Sequence, residues 1–388
     1  MADTRTDGRA APWLRRAAAL VVLLVALPLA AGCSPVRVVE AASLLLDLSD
    51  PPAPGRDLDG VARQEIAGPG GRPADLYRVE APRAALLVVP GAAEAGRRDV
   101  RLVAFAADLA RAGFLVMVPQ LAGSDPLRVS AADADAVAEA VTVLADTAGV
   151  PAVGVVGVSY AVDPALLAAL RPEVSERVAF ALVIGGYHDI TAAVTYMTTG
   201  LYRAAGDAAW RSGPVEQSAR WLFLRANADR VGGDGPDTST LAAIAARRLR
   251  DPAAPVDDLV SMLGPPGMAV WRLLVNDEPE AVPALLADLP PALRDEVTAL
   301  DLAGRDLTAL RARLVLIHGR DDPMVPFTES QALAARLPPD QARLYVVDGL
   351  NHVEVGDLGL GDMATLLRAA YRLLAERDAA PRPIRPAG

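Results

Sequence analysis

The chain has 388 residues and a formal net charge of −10, and all 38 of its basic residues are arginine. The absence of lysine excludes Schiff-base, pyridoxal phosphate and phosphate-loop chemistry, and the acidic charge argues against a nucleic-acid partner. One cysteine and three histidines are too few for a cysteine-rich zinc site or a disulfide framework, so we expect no metal and no cofactor.

The first segment is predicted to be a targeting signal. Residues 1–16 are basic on balance, and residues 17–29 form an apolar run that is shorter than the roughly 20 residues of a membrane-spanning helix. The run ends in Leu29-Ala30-Ala31-Gly32-Cys33, which resembles a bacterial lipoprotein signal. The resemblance implies that residues 1–32 are removed and that a lipid on Cys33 holds the protein at a membrane of the cell envelope, on its periplasmic or outer surface. The alternatives are an ordinary signal peptide with a chance cysteine, or an uncleaved anchor.

A linker and then a repeating order of strands and helices follow. The proline-rich stretch 50–55 predicts a linker over residues 33–60 that stands the domain off the bilayer. From about residue 74, apolar runs typical of strands buried on both faces alternate with segments of helical spacing. The predicted strands are 85–89, 114–119, 153–158, 179–184, 313–317 and 342–347, and the predicted helices are 99–112, 130–148, 328–337 and 362–376. This order predicts an α/β fold in which helices cover both faces of a mostly parallel sheet.

A strand-poor segment interrupts this order. Residues 191–308 have helical patterns, and we expect them to form a helical cap or lid above the carboxyl ends of the strands, where ligands bind in such sheets. The core then consists of residues 61–190 and 309–376, and residues 377–388 are expected to be a disordered tail.

The first chemical motif follows a predicted strand. Gly157-Val158-Ser159-Tyr160-Ala161 resembles the nucleophile elbow, G-x-S-x-G, of the α/β-hydrolase superfamily, in which a sharp strand-to-helix turn exposes the serine. Ala161 replaces the last glycine of the pattern, and Pro164 comes early in the following helix, where proline disturbs helical hydrogen bonding. On its own the pattern also fits a serine that merely caps a helix after a strand.

Two further motifs follow strands in the order that this superfamily uses, which is serine, acid and histidine. Residues 319–326, with the sequence GRDDPMVP, look like the acid turn G-x-x-D-x-x-V-P and put Asp322 in the acid role, and His352 comes after the last strand. Asp189, after the fourth predicted strand, is the alternative acid. His318 precedes the acid and is expected to have a structural role.

The resemblance implies the α/β-hydrolase fold and a serine hydrolase that cleaves carboxylic esters or related small acyl compounds through an acyl-enzyme. Ser159 would be the nucleophile, His352 the general base and Asp322 the residue that orients the imidazole. The backbone N–H groups of Tyr160 and Ala92 would form the oxyanion hole. Two alternatives stay open: a degenerate hydrolase that serves as a binding or scaffold lipoprotein, and an acyltransferase that uses the same triad. The sequence does not predict the oligomeric state.

Overall fold

The computed structural model describes residues 34–49, 58–91, 95–121, 128, 130, 132–233, 235–352, 354–356 and 358–382. The predicted signal peptide, Cys33, residues 50–55, Ala92 and residues 383–388 of the predicted tail lie outside these described residues. The prediction of a disordered tail is wrong for residues 377–379, which end the helix Leu360–Ala379 and include the fully buried Arg377. No helix within the described ranges is long and apolar enough to cross a membrane.

An eight-stranded sheet forms the centre of the molecule. We number its strands β1 to β8, and in space they follow the order β1-β2-β4-β3-β5-β6-β7-β8. Strand β2 is antiparallel to both of its neighbours, and every other neighbouring pair is parallel. The strands are Ala62–Ala67, Pro73–Arg78, Ala84–Val88, Phe114–Pro119, Val153–Val158, Val178–Ile184, Arg313–Gly319 and Ala342–Val347. The prediction of a mostly parallel sheet is confirmed.

Helices lie on both faces of this sheet. Those of the core are α1 (Pro35–Ser49), α2 (Val100–Arg111), α3 (Ala132–Ala148), α4 (Val162–Ala169), α13 (Thr328–Ala335) and α14 (Leu360–Ala379). Between β6 and β7 come α5 to α12, at Ile190–Thr199, Ala219–Asn227, Asp229–Gly232, Pro236–Arg250, Asp257–Val260, Pro265–Leu274, Val282–Ala287 and Pro291–Ala299. Short 3₁₀ turns occur at 69–71, 96–98, 159–161, 175–177, 279–281 and 307–309, and two-residue strands pair 201–202 with 211–212 and 350–351 with 354–355.

Alternate side chains of each central strand enter different cores. In β3, Ala85 and Leu87 pack with α3 and α4, whereas Leu86 and Val88 pack with α1, α2 and α14. Because both faces are covered, these strands are continuous apolar runs with little polar alternation. This double burial is what made them recognisable in the sequence.

Three elements were not predicted: strands β1 and β2, and helix α1. The strands β1 and β2 form an antiparallel pair, and β1 is an exposed edge strand rich in polar residues. The predicted linker over residues 33–60 is wrong for residues 35–49, which form helix α1. That helix buries Val38, Ala41, Ala42 and Leu44 against the domain, so the chain is folded well before residue 60.

The segment between β6 and β7 has a core of its own. Its helices bury Trp221, Leu241, Ile244 and Val270 together, and the rings of Trp221 and Trp271 lie 6.1 Å apart between centroids. One side of the segment contacts the turn after β7, because the Tyr196 hydroxyl donates a hydrogen bond of 3.0 Å to the Asp322 carbonyl oxygen. The insertion is therefore attached to the sheet beside a predicted site residue.

Candidate active site

The carboxyl ends of β5 to β8 bring the predicted site residues to one edge of the sheet. The register pairs Val158 with Ile184 and Ile184 with Ile317 across the first three of these strands. The next residue of each strand, beginning with Ser159 after β5, therefore lies at the same edge, and neighbouring strands are about 4.8 Å apart.

Ser159 occupies a strained turn. Its φ of 54° lies in the left-handed region, and among the described non-glycine residues only His352 shares this feature. The turn is also tight: a Cβ at position 157 would lie 2.8 Å from the Val162 Cα, so that position requires glycine. The elbow geometry is present although Ala161 replaces the last glycine of the pattern.

Pro164 does not disrupt the helix behind the serine. It is the third residue of α4, and the first N–H groups of a helix have no partner within that helix. A proline at this position therefore removes no helical hydrogen bond. The disturbance expected from the sequence is absent because the helix begins only two residues earlier.

Asp322 and His352 form a hydrogen-bonded pair. His352 Nδ1 lies 2.8 Å from Asp322 Oδ2, and Asp322 Oδ1 accepts hydrogen bonds from the backbone N–H groups of Met324 (2.7 Å) and Val325 (2.9 Å). The carboxylate is fully buried, whereas the His352 side chain is 14% exposed. When Nδ1 donates to the carboxylate, Nε2 of a neutral imidazole is left as an acceptor, which is the form a general base needs.

Gly185, the first residue after β6, relates this pair to the serine. It lies across from Ser159 at the strand ends, and it has a φ of 60°. A Cβ at Gly185 would lie 3.1 Å from His352 Nδ1 and 3.3 Å from Asp322 Oδ2. Asp322 and His352 therefore occupy the space beside Gly185, where a side chain at that position would lie. Gly185 itself lies on the strand next to Ser159.

Asp189, the alternative acid, has different partners. Its Oδ1 accepts from the N–H groups of Thr191 (2.8 Å) and Ala192 (3.2 Å), so the carboxylate caps the N-terminus of α5. Its own backbone N–H donates to Glu329 Oε2 at 2.8 Å. The structure brings Asp322 to His352 and uses Asp189 as a helix cap.

His318 lies in the interior and contacts the acid turn through the Val325 carbonyl oxygen. It is fully buried, with Nδ1 2.7 Å from Ser330 Oγ and Nε2 3.0 Å from the Val325 carbonyl oxygen. A carbonyl can only accept, so Nε2 carries the proton, and burial lowers the pKa of His318. These contacts fit the structural role predicted for His318.

Tyr160, whose backbone N–H is a predicted oxyanion donor, is held in place by its side chain. Its hydroxyl accepts from the Ser130 N–H at 2.8 Å and donates to Asp133 Oδ2 at 3.0 Å. The second predicted donor, Ala92, lies outside the described residues, but its neighbour Gly91 is close to the serine. A Cβ at Gly91 would lie 3.6 Å from the Val158 carbonyl oxygen.

Two buried acids close to the site were not predicted. Asp163, the second residue of α4, is fully buried, and burial raises its pKa well above the usual range. Glu329 is 4% exposed, and burial raises its pKa to about 7, although the N–H groups of His188 and Asp189 donate to it. Their sequence positions carry no signal of burial, because each burial depends on the packing of distant elements. Within the described residues no group of three or more histidine, cysteine, aspartate or glutamate side chains could hold a metal ion.

No protein-family model and no curated protein matches the chain. Among solved structures, a protein from Legionella pneumophila that is named as a hydrolase is similar over 87% of this chain and 95% of its own, with 12% identity and a TM-score of 0.51. A meta-cleavage product hydrolase from Pseudomonas fluorescens covers 80% of this chain and 98% of its own, with 18% identity and a TM-score of 0.43. A protein from Acinetobacter baumannii that is named as a lipase covers 87% and 97%, with 15% identity and a TM-score of 0.44.

At sequence identities of 12% to 18%, the similarity to these structures indicates a shared fold only. The strand order, the antiparallel second strand and the turn at Ser159 agree with the α/β-hydrolase fold. The resemblance noted in the sequence is thereby confirmed for the architecture, and this protein has the α/β-hydrolase fold.

Proposed function

We propose that the protein is a serine hydrolase that cleaves carboxylic esters or related acyl compounds. The observation that carries this proposal is the 2.8 Å hydrogen bond between His352 and Asp322 at the sheet edge where Ser159 sits. Ser159 is held in a backbone conformation that costs on the order of 1 to 3 kcal/mol. Such strain is typical of active sites, and it favours a working enzyme over a scaffold that has lost its chemistry.

The proposed reaction has two halves. His352 Nε2 takes the hydroxyl proton while Ser159 Oγ bonds to the carbonyl carbon, and Asp322 stabilises the imidazolium that results. The N–H groups of Tyr160 and Ala92 stabilise the oxyanion. The tetrahedral intermediate then expels the alcohol, which takes the proton from His352, and leaves an acyl-enzyme. Water repeats the sequence, releasing the acid and restoring Ser159.

Turnover of short-chain nitrophenyl esters tests this proposal. Wild type should release nitrophenol, and Ser159→Ala should lower kcat by about 10⁴-fold or more. Ser175→Ala, which changes a surface serine whose hydroxyl bonds to the nearby Pro172 carbonyl, should leave the rate unchanged. A folded wild type without turnover would overturn the proposal, as would a Ser159→Ala variant that keeps it. Adding an alcohol and measuring new ester would separate acyl transfer from hydrolysis.

We further propose that a lipid on Cys33 holds the enzyme at the cell envelope. The support is the sequence resemblance at residues 29–33, together with the position of Cys33 just before the first described helix. Labelled palmitate should enter wild type and be lost in Cys33→Ser. Incorporation that persists in the variant would contradict the anchor and leave the hydrolase proposal intact.

A further inference from the structure

Helix α1 has a second apolar face that is exposed. Val36, Val39 and Leu46 are separated by three and then seven residues, which places them on one side of a helix. Their side chains are 66%, 59% and 60% exposed in the described part of the chain. We call these three residues the α1 stripe. Ser43, between Val39 and Leu46, is exposed, small and uncharged. The opposite face of the helix is buried in the domain, so α1 has apolar side chains on two sides.

Helix α1 is fixed to the domain from Ser34, the residue before its start. The backbone N–H of Ser34 donates to the Tyr371 hydroxyl at 3.0 Å, and Arg37 Nε donates to Asp378 at 3.0 Å. Glu40 pairs with the fully buried guanidinium of Arg377 at 2.5 Å. These contacts with α14 hold α1 in one orientation against the folded core.

This attachment leaves no spacer between Cys33 and the domain. Ser34 is already bound to Tyr371, and consecutive Cα atoms are about 3.8 Å apart. Acyl chains on Cys33 would therefore bring the start of α1 to the surface of the bilayer. The stripe runs along the helix from that point.

We propose that the α1 stripe docks onto the phospholipid bilayer and sets the orientation of the enzyme on it. The inference rests on the lipid proposed for Cys33. The acyl chains would hold the start of α1 at the bilayer, and burial of the three exposed apolar side chains there would add a hydrophobic contact that favours one orientation. Three side chains are too few for a stable dimer, which needs about 800 Å² from each partner. The apolar run 17–29 would be removed with the signal.

Nitroxide labelling of the full-length lipoprotein tests this proposal. The lipid occupies Cys33, so Val39→Cys supplies the one reactive thiol in the α1 stripe, and Thr147→Cys supplies an exposed control on α3, across the sheet. The lipid is first established by mass, and the protein is then reconstituted into phosphatidylcholine vesicles. At Val39 the label should collide more with oxygen than with a soluble nickel complex, and at Thr147 the order should reverse.

Adding Val36→Gln and Leu46→Gln should move the Val39 label into water while the lipid stays attached. A lipidated protein whose Val39 label is water-exposed from the start would overturn the docking and leave the anchor standing. A label that stays in the bilayer despite both glutamines would show that the stripe is not the contact. Shielding from both reagents would mean a protein partner, such as a second copy or retained residues 17–29, and would also contradict the proposal. Absence of the lipid by mass would overturn anchor and docking together, without bearing on ester turnover.

Discussion

Asp322 and Asp189 both follow strands of the sheet, yet their carboxylates bind different groups. Asp322 binds the imidazole of His352 and two backbone N–H groups of its own turn. Asp189 binds the first N–H groups of α5. The difference comes from backbone direction: the chain turns sharply after β7, whereas it enters a helix at Asp189.

This difference predicts unequal effects of the same substitution. Asp322→Asn can still accept from Met324 and Val325, but it no longer holds His352 in the productive tautomer, and kcat should fall by roughly 10⁴-fold. Asp189→Asn should stay within about twofold of wild type, because asparagine is an equally good cap. Steady-state ester kinetics on both variants check the prediction. A larger loss for Asp189→Asn would transfer the acid role to that residue.

Glu329 should make stability depend on pH. Burial raises its folded pKa to about 7 from an ordinary value of 4.5, so the folded state keeps a proton that the unfolded chain has lost. The contribution of this group therefore falls as pH rises from about 4.5 through 7. Glu329→Gln keeps an oxygen that can accept from His188 and Asp189 and removes the ionisation.

The variant should accordingly have a higher Tm than wild type at pH 8 and a flatter dependence of Tm on pH from 5 to 8. Thermal melts followed by circular dichroism measure both quantities. Glu80→Gln, at an exposed position, is the matched control and should follow wild type. A Glu329→Gln variant whose Tm falls with pH as steeply as that of wild type would contradict the assignment.

At the scale of elements, the strand ends leave little room for side chains. Gly185 has a positive φ and sits against the Asp322 and His352 pair, whereas Gly60 has a φ of 74° and no atom within 4 Å of where its Cβ would lie. The two positions therefore share a positive φ, which strains any other residue, and differ in contact with the site.

Alanine substitution separates these two effects. Both Gly185→Ala and Gly60→Ala should lower Tm by a few degrees, because alanine is strained at positive φ. Only Gly185→Ala should also lower kcat, by about 10- to 100-fold, since a small displacement of the imidazole misaligns the reacting groups. Measuring Tm and kcat for each variant tests this, and a fully active Gly185→Ala would show that the pair tolerates a neighbour there.

The elements also show what the sequence could predict. Strands β3 to β7 were recognisable because most of their residues are apolar and buried on both faces, and β8 was recognisable as a short, mostly apolar run. The motifs at Ser159, Asp322 and His352 were recognisable because each follows a predicted strand. Strand β1 lacked that signal because Arg63, Gln64 and Glu65 face solvent at the edge of the sheet.

Helix α1 was missed for a different reason. It has apolar residues on two faces and no strong one-sided periodicity, and the proline-rich residues 50–55 suggested a linker through the whole segment. The buried contacts of Glu329 and Asp163 depend on residues far apart in the chain, so local patterns cannot reveal them. What a sequence predicts is the element and its order; which polar groups meet inside depends on packing.

In the whole molecule, the sheet carries both the proposed catalytic residues and the helix that we propose contacts the bilayer. Its carboxyl edge holds the serine, acid and histidine, and the insertion is attached to that edge through Tyr196 and through the Glu216 N–H, which donates to the Pro323 carbonyl at 2.8 Å. One face of the sheet carries α1, whose stripe we propose lies on the bilayer. The proposed catalysis and the proposed membrane attachment would thus use separate parts of the same domain.

Reaction with a fluorophosphonate, followed by mass analysis of the labelled peptide, directly tests whether Ser159 is an activated nucleophile. The reagent phosphonylates a serine only when a neighbouring base activates its hydroxyl. We expect one modified residue, Ser159, with no label in Ser159→Ala and strongly reduced label in His352→Ala. A folded wild-type protein that takes no label, or that takes it on another serine, would contradict the assignment of Ser159 as the nucleophile.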